Sequence, residues 1–596
     1  MSSRRAWQLL VLALCCAPLF VGLGRADLGG DEAIYSFGVD RILESGDWLA
    51  PKSSPHEDIA FLEKPPLKFW IVAAPIRLGL LPHNEFGLRF WDALFGALSF
   101  MYVFAIGCRL AGGVAGAVAV LTLFVHGPLL FDHGLRSNNM EAALLLCYCG
   151  GIYHFLAWSA AERVSRARLH ALGVGLFFAL GFMTKFVAAI FLPLVLGSAG
   201  LLVSDLRSKA LRDWRLWMGV AFAVTALCAP WFVYAYHRFG PALWDVMLTT
   251  HVYERFTASL DPDHIRPWHF YVMTMYRSLA SSGASLIVGA GLVALVVQTC
   301  RGRLHTEGVV VLLWLALPLF LISFGTSKLY HYAYPYLPPL ALAAGYAAGL
   351  IVTAAPAPLE RILEQLYSSG ASRRMHPVAR AIFLGVAAVA MAVAIASLVY
   401  GPVRLELPAG LTFKSSGLLR PLIIAIAFGV LAGASGMTVR VVTPLLVASM
   451  LPLPAYRETL DRLTWETRVM SAASDCLRRV EANVGGTPLP GLYLDVPDAS
   501  IGHAMYYYFR RLRPWTRPEK PSPDRIGAYL EGGAGQKPVL VLQSTYRTFR
   551  YGIDGDGASA PGPAKSPPML TLPDDVLLLL PGPYTACAGD TASLRK

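Results

Sequence analysis

Long apolar stretches separated by short polar gaps dominate this chain. Stretches near the roughly 20-residue length that crosses a bilayer occur at about 6–24, 88–109, 112–131, 140–160, 168–183, 186–204, 216–236, 280–299, 308–324, 332–353, 379–400, 418–435 and 437–454. The pattern predicts about thirteen membrane-spanning helices. Residues 68–82 are apolar but shorter, carry Lys68 and Arg77 and contain Pro75. They read as a re-entrant or interfacial helix, with a span as the alternative.

Past the last stretch the pattern changes. Over 457–484, charged residues such as Arg457, Asp461 and Arg468 alternate with Leu460, Leu463, Val469 and Ala473 at helical spacing. Strand-like runs follow at 492–496, 539–542 and 576–580, with a helix expected over 499–511. Pro- and Gly-rich segments at 512–526 and 553–573 read as mobile loops. The expected organisation is a polytopic α-helical membrane domain over 1–456 and a small α/β domain over 457–596.

Composition agrees: 596 residues, 55% hydrophobic, only 15% charged, mean hydropathy +0.50. An ordinary soluble protein is excluded on these values. Arg4-Arg5 precede the first stretch, which reads as a signal anchor and places the amino terminus in the cytoplasm. Alternating from there, the basic clusters Arg163/Arg166/Arg168, Arg207/Lys209/Arg212/Arg215, Arg301/Arg303 and Arg373/Arg374/Arg380 all fall inside. The gap at 25–87 falls outside and is acidic, with Asp27, Asp31, Glu32, Asp40, Glu44, Asp47, Glu57, Asp58 and Glu63.

The net charge of +12 (51 Lys plus Arg against 39 Asp plus Glu) is therefore a topology signal and a source of affinity for anionic membrane lipids. Nucleic acid is not an expected partner, because the basic residues are scattered over membrane loops. Most cysteines lie in apolar stretches; Cys476 and Cys587 do not. In an oxidising compartment those two could close one disulfide, although two cysteines do not by themselves prove a pair.

Motifs collect in the gaps that this topology places outside. Asp31-Glu32 precedes an apparent helix, where Asp31 could cap and Glu32 favour the positive end, or either could serve chemistry. Phe61-Leu62-Glu63-Lys64-Pro65-Pro66 sets an acid beside a base on a backbone stiffened by two prolines, which a solvated loop does not need.

Together with Ser45-Gly46-Asp47-Trp48 and Asn84-Glu85-Phe86-Gly87-Leu88-Arg89, these blocks resemble the aminoarabinose transferase and protein O-mannosyltransferase superfamily. Its members are GT-C membrane glycosyltransferases that use polyprenyl-phosphate-linked sugars. Arg136 to Glu141, Met183-Thr184-Lys185, Pro230-Trp231-Phe232, His251 to Phe256 and Ser327-Lys328-Leu329-Tyr330-His331-Tyr332-Ala333-Tyr334-Pro335 are similar to further family blocks. Ile34 stands where aminoarabinose transferases usually carry an Arg, and the His251 loop has one His where they often have two.

The resemblance implies a GT-C fold and a catalytic face built from loops 25–87 and 237–279. Transfer from a polyprenyl phosphate needs a carboxylate to take the acceptor's proton, cations for the leaving phosphate and a greasy groove for the tail. Asp31 is the expected base, with Glu63 as second choice or metal ligand and Glu141 as a further catalytic acid. Lys64, Lys185, Arg255 and Lys328 are expected to clamp phosphate, each with the alternative of a snorkelling span-end cation. Tyr35, Arg136, His331, Tyr332 and Tyr334 are expected to line the substrate site, the aromatics alternatively marking the interface.

A divalent metal (zinc, magnesium or manganese) held by Glu63 and His251 is chemically sensible; otherwise His251 is a hydrogen-bonded interfacial histidine. The expected protein is a monomeric inner-membrane glycosyltransferase whose site and carboxy-terminal domain face the periplasm, acting on lipid A or another glycolipid, or on protein Ser/Thr. A polytopic lipid or solute transporter is the rival class, but charge concentrated at one mouth and the lack of a visible repeat speak against it.

Overall fold

The computed structural model describes residues 3–52, 60–258, 262–354, 361, 376–400, 403–407, 411–415, 417–433, 439–463, 468–483, 493–495, 503–510, 538–543, 569–572, 576–580 and 582–587. Glu57, Asp58, Arg373, Arg374, the 512–526 loop and most of 553–573 lie outside these residues.

The apolar stretches are helical. In order they are α1 (Ser3–Phe20), α2 (Gly30–Ser45), α3 (Leu67–Arg77), α4 (Glu85–Leu123), α5 (Gly127–Phe131), α6 (Glu141–Ser159), α7 (Val164–Lys185), α8 (Val187–Leu202), α9 (Ser204–Arg212) and α10 (Trp214–Phe239). After α11 (Ala242–Trp244), a π-helical stretch Asp245–Glu254 and α12 (Arg255–Thr257) come α13 (Phe270–Ser281), α14 (Ser285–Cys300) and α15 (His305–Ser323). A 3₁₀ turn, Tyr330–Tyr336, leads into α16 (Pro338–Ala354). Then follow α17 (Pro377–Tyr400), α18 (Leu419–Gly433), α19 (Val439–Met450) and the amphipathic α20 (Leu453–Arg462).

Six of these helices are long and apolar enough to cross a membrane, or up to eight if each bent pair is one span. Shorter apolar helices, Ala6–Phe20, Ser285–Cys300 and Leu419–Ala432, fall on three more of the expected stretches. In α4, 39 residues long, Ala111 and Gly112 leave helical geometry, Gly112 at φ +83°, a value that suits glycine. The chain reverses there: a Cβ on Gly107 would lie 2.7 Å from Gly116 Cα, so the two expected stretches 88–109 and 112–131 become two close-packed legs. The pairs α8–α9 and Tyr330–Tyr336 with α16 are bent by 109° and 46°. Helix α3 has 11 residues and buries Lys68, in line with its reading as a non-spanning helix.

The bundle core runs through α4, α6, α7, α14, α15 and α16, with Phe100, Tyr148, Trp158 and Trp314 buried. One buried ion pair stiffens it: Lys68 Nζ sits 2.7 Å from Asp92 and donates to Asn138 Oδ1 at 2.8 Å. That pair ties α3 and α4 to the segment before α6.

Beyond the bundle, a four-stranded sheet has the order β3-β4-β6-β5, where β3 is Tyr493–Asp495, β4 Val539–Leu542, β5 Met569–Thr571 and β6 Val576–Leu579. β3 and β4 are parallel and the other pairs antiparallel. The hairpin β1 (Val403–Leu407) with β2 (Leu411–Ser415), and strand β5, were not expected from sequence. Helix α21 (Met470–Asn483) and helix α22 (His503–Arg510) complete this part.

The carboxy-terminal part is docked on the loop after α1. Asp27 accepts from the backbone N–H groups of Val469, Met470 and Ser471 (2.8, 2.7 and 3.0 Å), capping α21 from 442 or more residues away in sequence. Tyr508 accepts from Leu28 N–H (2.8 Å) and donates to Glu85 (2.9 Å). Cys476 and Cys587 are bonded, closing a separation of 111 residues. Cys587→Ser is expected to destabilise this part by about 2–4 kcal/mol. Limited proteolysis should then cut within 468–587 faster while the bundle stays resistant; an unchanged cleavage rate would show that the disulfide is not needed there.

Candidate active site

Both acids of the Asp31-Glu32 pair lie in the first turn of α2, with opposite fates. Glu32 turns inward and is 4% exposed. Its carboxylate accepts the Gly29 N–H (3.1 Å), Arg89 Nε and Nη2 (2.6 and 2.8 Å) and the Asn138 N–H (2.8 Å). Glu32, and not Asp31, is therefore the capping acid. Asp31 is left 47% exposed, its Oδ2 3.7 Å from His133 Nδ1, at the edge of a cleft of about 240 Å³.

A second acid comes from the turn before α3. Glu63 lies 3.5 Å from Lys64 Nζ and its Oε1 lies 3.5 Å from His251 Nε2, across from the π-helical stretch. Lys64 donates to the Tyr35 hydroxyl at 2.8 Å and sits over the Tyr35 ring. Burial, followed by the charges of Glu141, Asp31 and Glu63, raises the Tyr35 phenol well above its ordinary value, against the opposing pull of Arg255. Tyr35 thus stays protonated and can donate to an anion.

The third acid, Glu141, begins α6 and is ion-paired with Lys185 at the end of α7. His331 Nε2 is 3.6 Å from Glu141, and the His331 ring stacks on His133 at 4.5 Å between centroids. Arg255 donates to the Tyr332 hydroxyl (2.9 Å), and Lys185 lies 5.4 Å from the Tyr332 ring. Three cations (Lys64, Lys185, Arg255), three acids (Asp31, Glu63, Glu141) and five phenol or imidazole groups (Tyr35, His133, His251, His331, Tyr332) therefore share one mouth of the bundle.

Three expected site residues do other work. Lys328 is 4% exposed and donates to the carbonyls of Arg266 (2.9 Å) and Gly325. Ser327 N–H donates to Arg255 O (3.1 Å) and Lys328 N–H to His264 O (2.9 Å). The Ser-Lys block thus stitches down the loop that carries Arg255, and its ammonium is spent on backbone. Arg136 donates to the carbonyls of Pro18, Leu19 and Val21 (2.5, 3.2 and 2.9 Å) and so caps the end of α1; part of it still borders the Asp31 cleft. Tyr334 is buried with its hydroxyl on Asp132 O (2.7 Å).

His133 escaped the sequence reading. It occupies φ +51°, and Gly134 follows so tightly that a Cβ there would fall 1.9 Å from Leu129 O. The Asp132-His133-Gly134 turn was the available signal; nothing in the spacing said that its imidazole would meet Asp31.

For a divalent ion, Glu63 and His251 form a pair. Burial lowers the His251 imidazole below its ordinary value, against the opposing pull of Glu63, which keeps a nitrogen lone pair available. Two ligands of one zinc ion at about 2.0–2.2 Å each lie roughly 3–3.5 Å apart, so the pair fits. Among the described residues no group of three or more His, Cys, Asp or Glu could hold a metal, so water or substrate oxygen would complete the shell.

The protein is a polytopic α-helical membrane protein with the GT-C fold. The chain superposes on the crystal structure of ArnT from Cupriavidus metallidurans bound to undecaprenyl phosphate with TM-score 0.58 at 17% identity, covering 96% of this chain and 98% of that one. For the apo state of the same protein the TM-score is 0.59, covering 99% and 100%. Residues 63–234 match the family model described as dolichyl-phosphate-mannose-protein mannosyltransferase.

Among curated proteins, the chain is 28% identical over 313 residues to the undecaprenyl phosphate-alpha-4-amino-4-deoxy-L-arabinose arabinosyl transferase of Pseudomonas savastanoi pv. phaseolicola (strain 1448A / Race 6), covering 52% of this chain and 55% of that protein. It is 29% identical to the protein of the same name from Pectobacterium carotovorum subsp. carotovorum (strain PC1), covering 56% of each. The chain spans about half the length of the curated relatives it matches. The resemblance read from the motifs thus holds in the family model, the relatives and the fold.

Proposed function

We propose that this protein is a glycosyltransferase that moves a sugar from a polyprenyl-phosphate carrier to an extracytoplasmic acceptor, first of all lipid A or a similar phosphorylated glycolipid. The observation that carries this reading is the run of contacts at one mouth of the bundle, from Asp31 through His133 and His331 to Glu141 and Lys185 and on to Tyr332 and Arg255, beside Lys64 on Tyr35 and Glu63 facing His251. The names of the curated relatives and of the undecaprenyl-phosphate-bound structure support the donor class. The acidic outer gap and basic inner loops support a site facing the periplasm from the inner membrane.

Charge at the site matches the chemistry. As the anomeric C–O bond to the carrier breaks, the leaving phosphate gains negative charge, which Lys64, Arg255 and Lys185 stabilise while the Tyr35 and Tyr332 hydroxyls orient it. The acceptor oxygen attacks the anomeric carbon in a single displacement with inversion. Where that oxygen belongs to a hydroxyl, its proton passes to Asp31, the carboxylate left open to solvent. His133 faces that carboxylate at 3.7 Å. A divalent ion, where bound, would be held by Glu63 and His251 and would add positive charge for phosphate.

The test is transfer of labelled sugar in proteoliposomes from a panel of polyprenyl-phosphate donors to envelope lipids and proteins, with and without a chelator. Label in lipid supports the first acceptor class and label in protein the mannosyltransferase-like one. No turnover with any donor, in a protein that still moves lipid across the bilayer, would favour the transporter.

Arg255→Gln is expected to raise the donor KM about tenfold or more and to lower kcat, because its partner gains charge in the transition state. Unchanged donor kinetics would remove Arg255 from the phosphate clamp.

A further inference from the structure

Beside the Asp31 cleft lies a larger cavity of about 1000 Å³, bounded by α5, the end of α13, the start of α18 and the amphipathic α20. The two spaces share Phe131 and Arg462 as walls. Arg462 lies over the Phe131 ring at 4.4 Å, and its guanidinium has no ion pair or hydrogen bond among the described residues. Arg457 and Arg420 border the same cavity, against Glu458 and Asp461. Arg457 and Asp461 lie 3.7 Å apart and Arg420 donates to the carbonyls of Ser282 and Leu451 (2.7 and 3.0 Å), so that with Glu458 counted the three arginines outnumber the two acids by one and leave Arg462 as the cation facing the cleft.

We infer that this cavity receives the phosphorylated headgroup of a glycolipid acceptor and that Arg462 guides it past Phe131 to Asp31. The inference rests on the glycosyltransferase reading and adds where the acceptor binds. Three features select this occupant. A volume of about 1000 Å³ lies at the upper end for pockets that bury a small-molecule ligand, enough for a sugar headgroup. Its walls are amphiphilic, with Phe124, Leu418 and Leu453 beside Ser281 and the arginines. It also joins the site from the side of the base, whereas the cations assigned to the donor phosphate, Lys64, Lys185 and Arg255, gather around Tyr35, Glu141 and Tyr332. A displacement needs acceptor and leaving group on opposite sides of the anomeric carbon, so the space behind Asp31 suits the acceptor.

The experiment measures binding to the full chain in nanodiscs, independently of turnover. The probes are a fluorescent bisphosphorylated disaccharide glycolipid, its dephosphorylated counterpart and a polyprenyl phosphate. Arg462→Gln is expected to weaken the bisphosphorylated glycolipid about tenfold and to leave the other two within twofold. Ser281→Trp, which narrows the cavity while replacing no charged residue, should weaken both glycolipids and spare the polyprenyl phosphate.

Selective loss of polyprenyl phosphate would overturn the inference by making the cavity a donor site. Equal loss of all three lipids, or no binding of either glycolipid by the wild type, would overturn it as well. If binding behaves as expected but no sugar is ever transferred, the cavity stands and the glycosyltransferase reading fails.

Discussion

Asp31→Asn is expected to lower sugar transfer to a hydroxyl acceptor by about a thousandfold, within the range for removal of a general base, while the protein stays folded. The structure separates these outcomes. Asp31 is 47% exposed and makes no cap, so the amide replaces a carboxylate that stabilises little. Initial rates in proteoliposomes, beside size-exclusion and thermal-unfolding profiles of the variant, check both halves. A rate within tenfold of wild type would remove Asp31 as the base and pass the role to Glu63 or Glu141. Full activity toward a phosphate acceptor alone would show an acceptor oxygen that carries no proton to remove.

Its neighbour should behave in the opposite way. Glu32→Gln removes the carboxylate that pairs with the buried Arg89 guanidinium, whose side chain is 5% exposed. Breaking one side of such a pair costs about 3–5 kcal/mol. The Gly29 and Asn138 N–H groups also lose part of their acceptor. A marked drop in the thermal-unfolding midpoint is expected, followed by loss of activity as the loop between α1 and α2 comes adrift. A stable variant with normal activity would show that hydrogen bonding without charge suffices there. Two adjacent acids thus predict one inactive, folded variant and one destabilised variant.

The contrast shows what could be read along the chain. Apolar stretches located the helices because burial in lipid demands about 20 apolar residues wherever it occurs. The motif blocks pointed to Lys64, Lys185, Arg255 and His251, and the structure brings all four to one mouth beside Asp31 and Glu63. Spacing failed where a partner decided the outcome. Lys328 and Arg136 look like ligand-binding cations in sequence, yet both end on backbone carbonyls, those of Gly325 and Arg266 and those closing α1. Arg89 belonged to a recognised block, but only the fold showed that it neutralises Glu32.

By itself the sequence determined the membrane class, the order of the helices and the gaps in which the chemistry resides, because hydropathy and charge bias act locally. Tertiary structure decided which acid is open and which is capped, that His133 meets Asp31, and that α20 closes a cavity joined to the cleft by Phe131 and Arg462. The physical reason is that a polar side chain's role depends on what satisfies or desolvates it. For these residues that partner lies tens to hundreds of positions away along the chain.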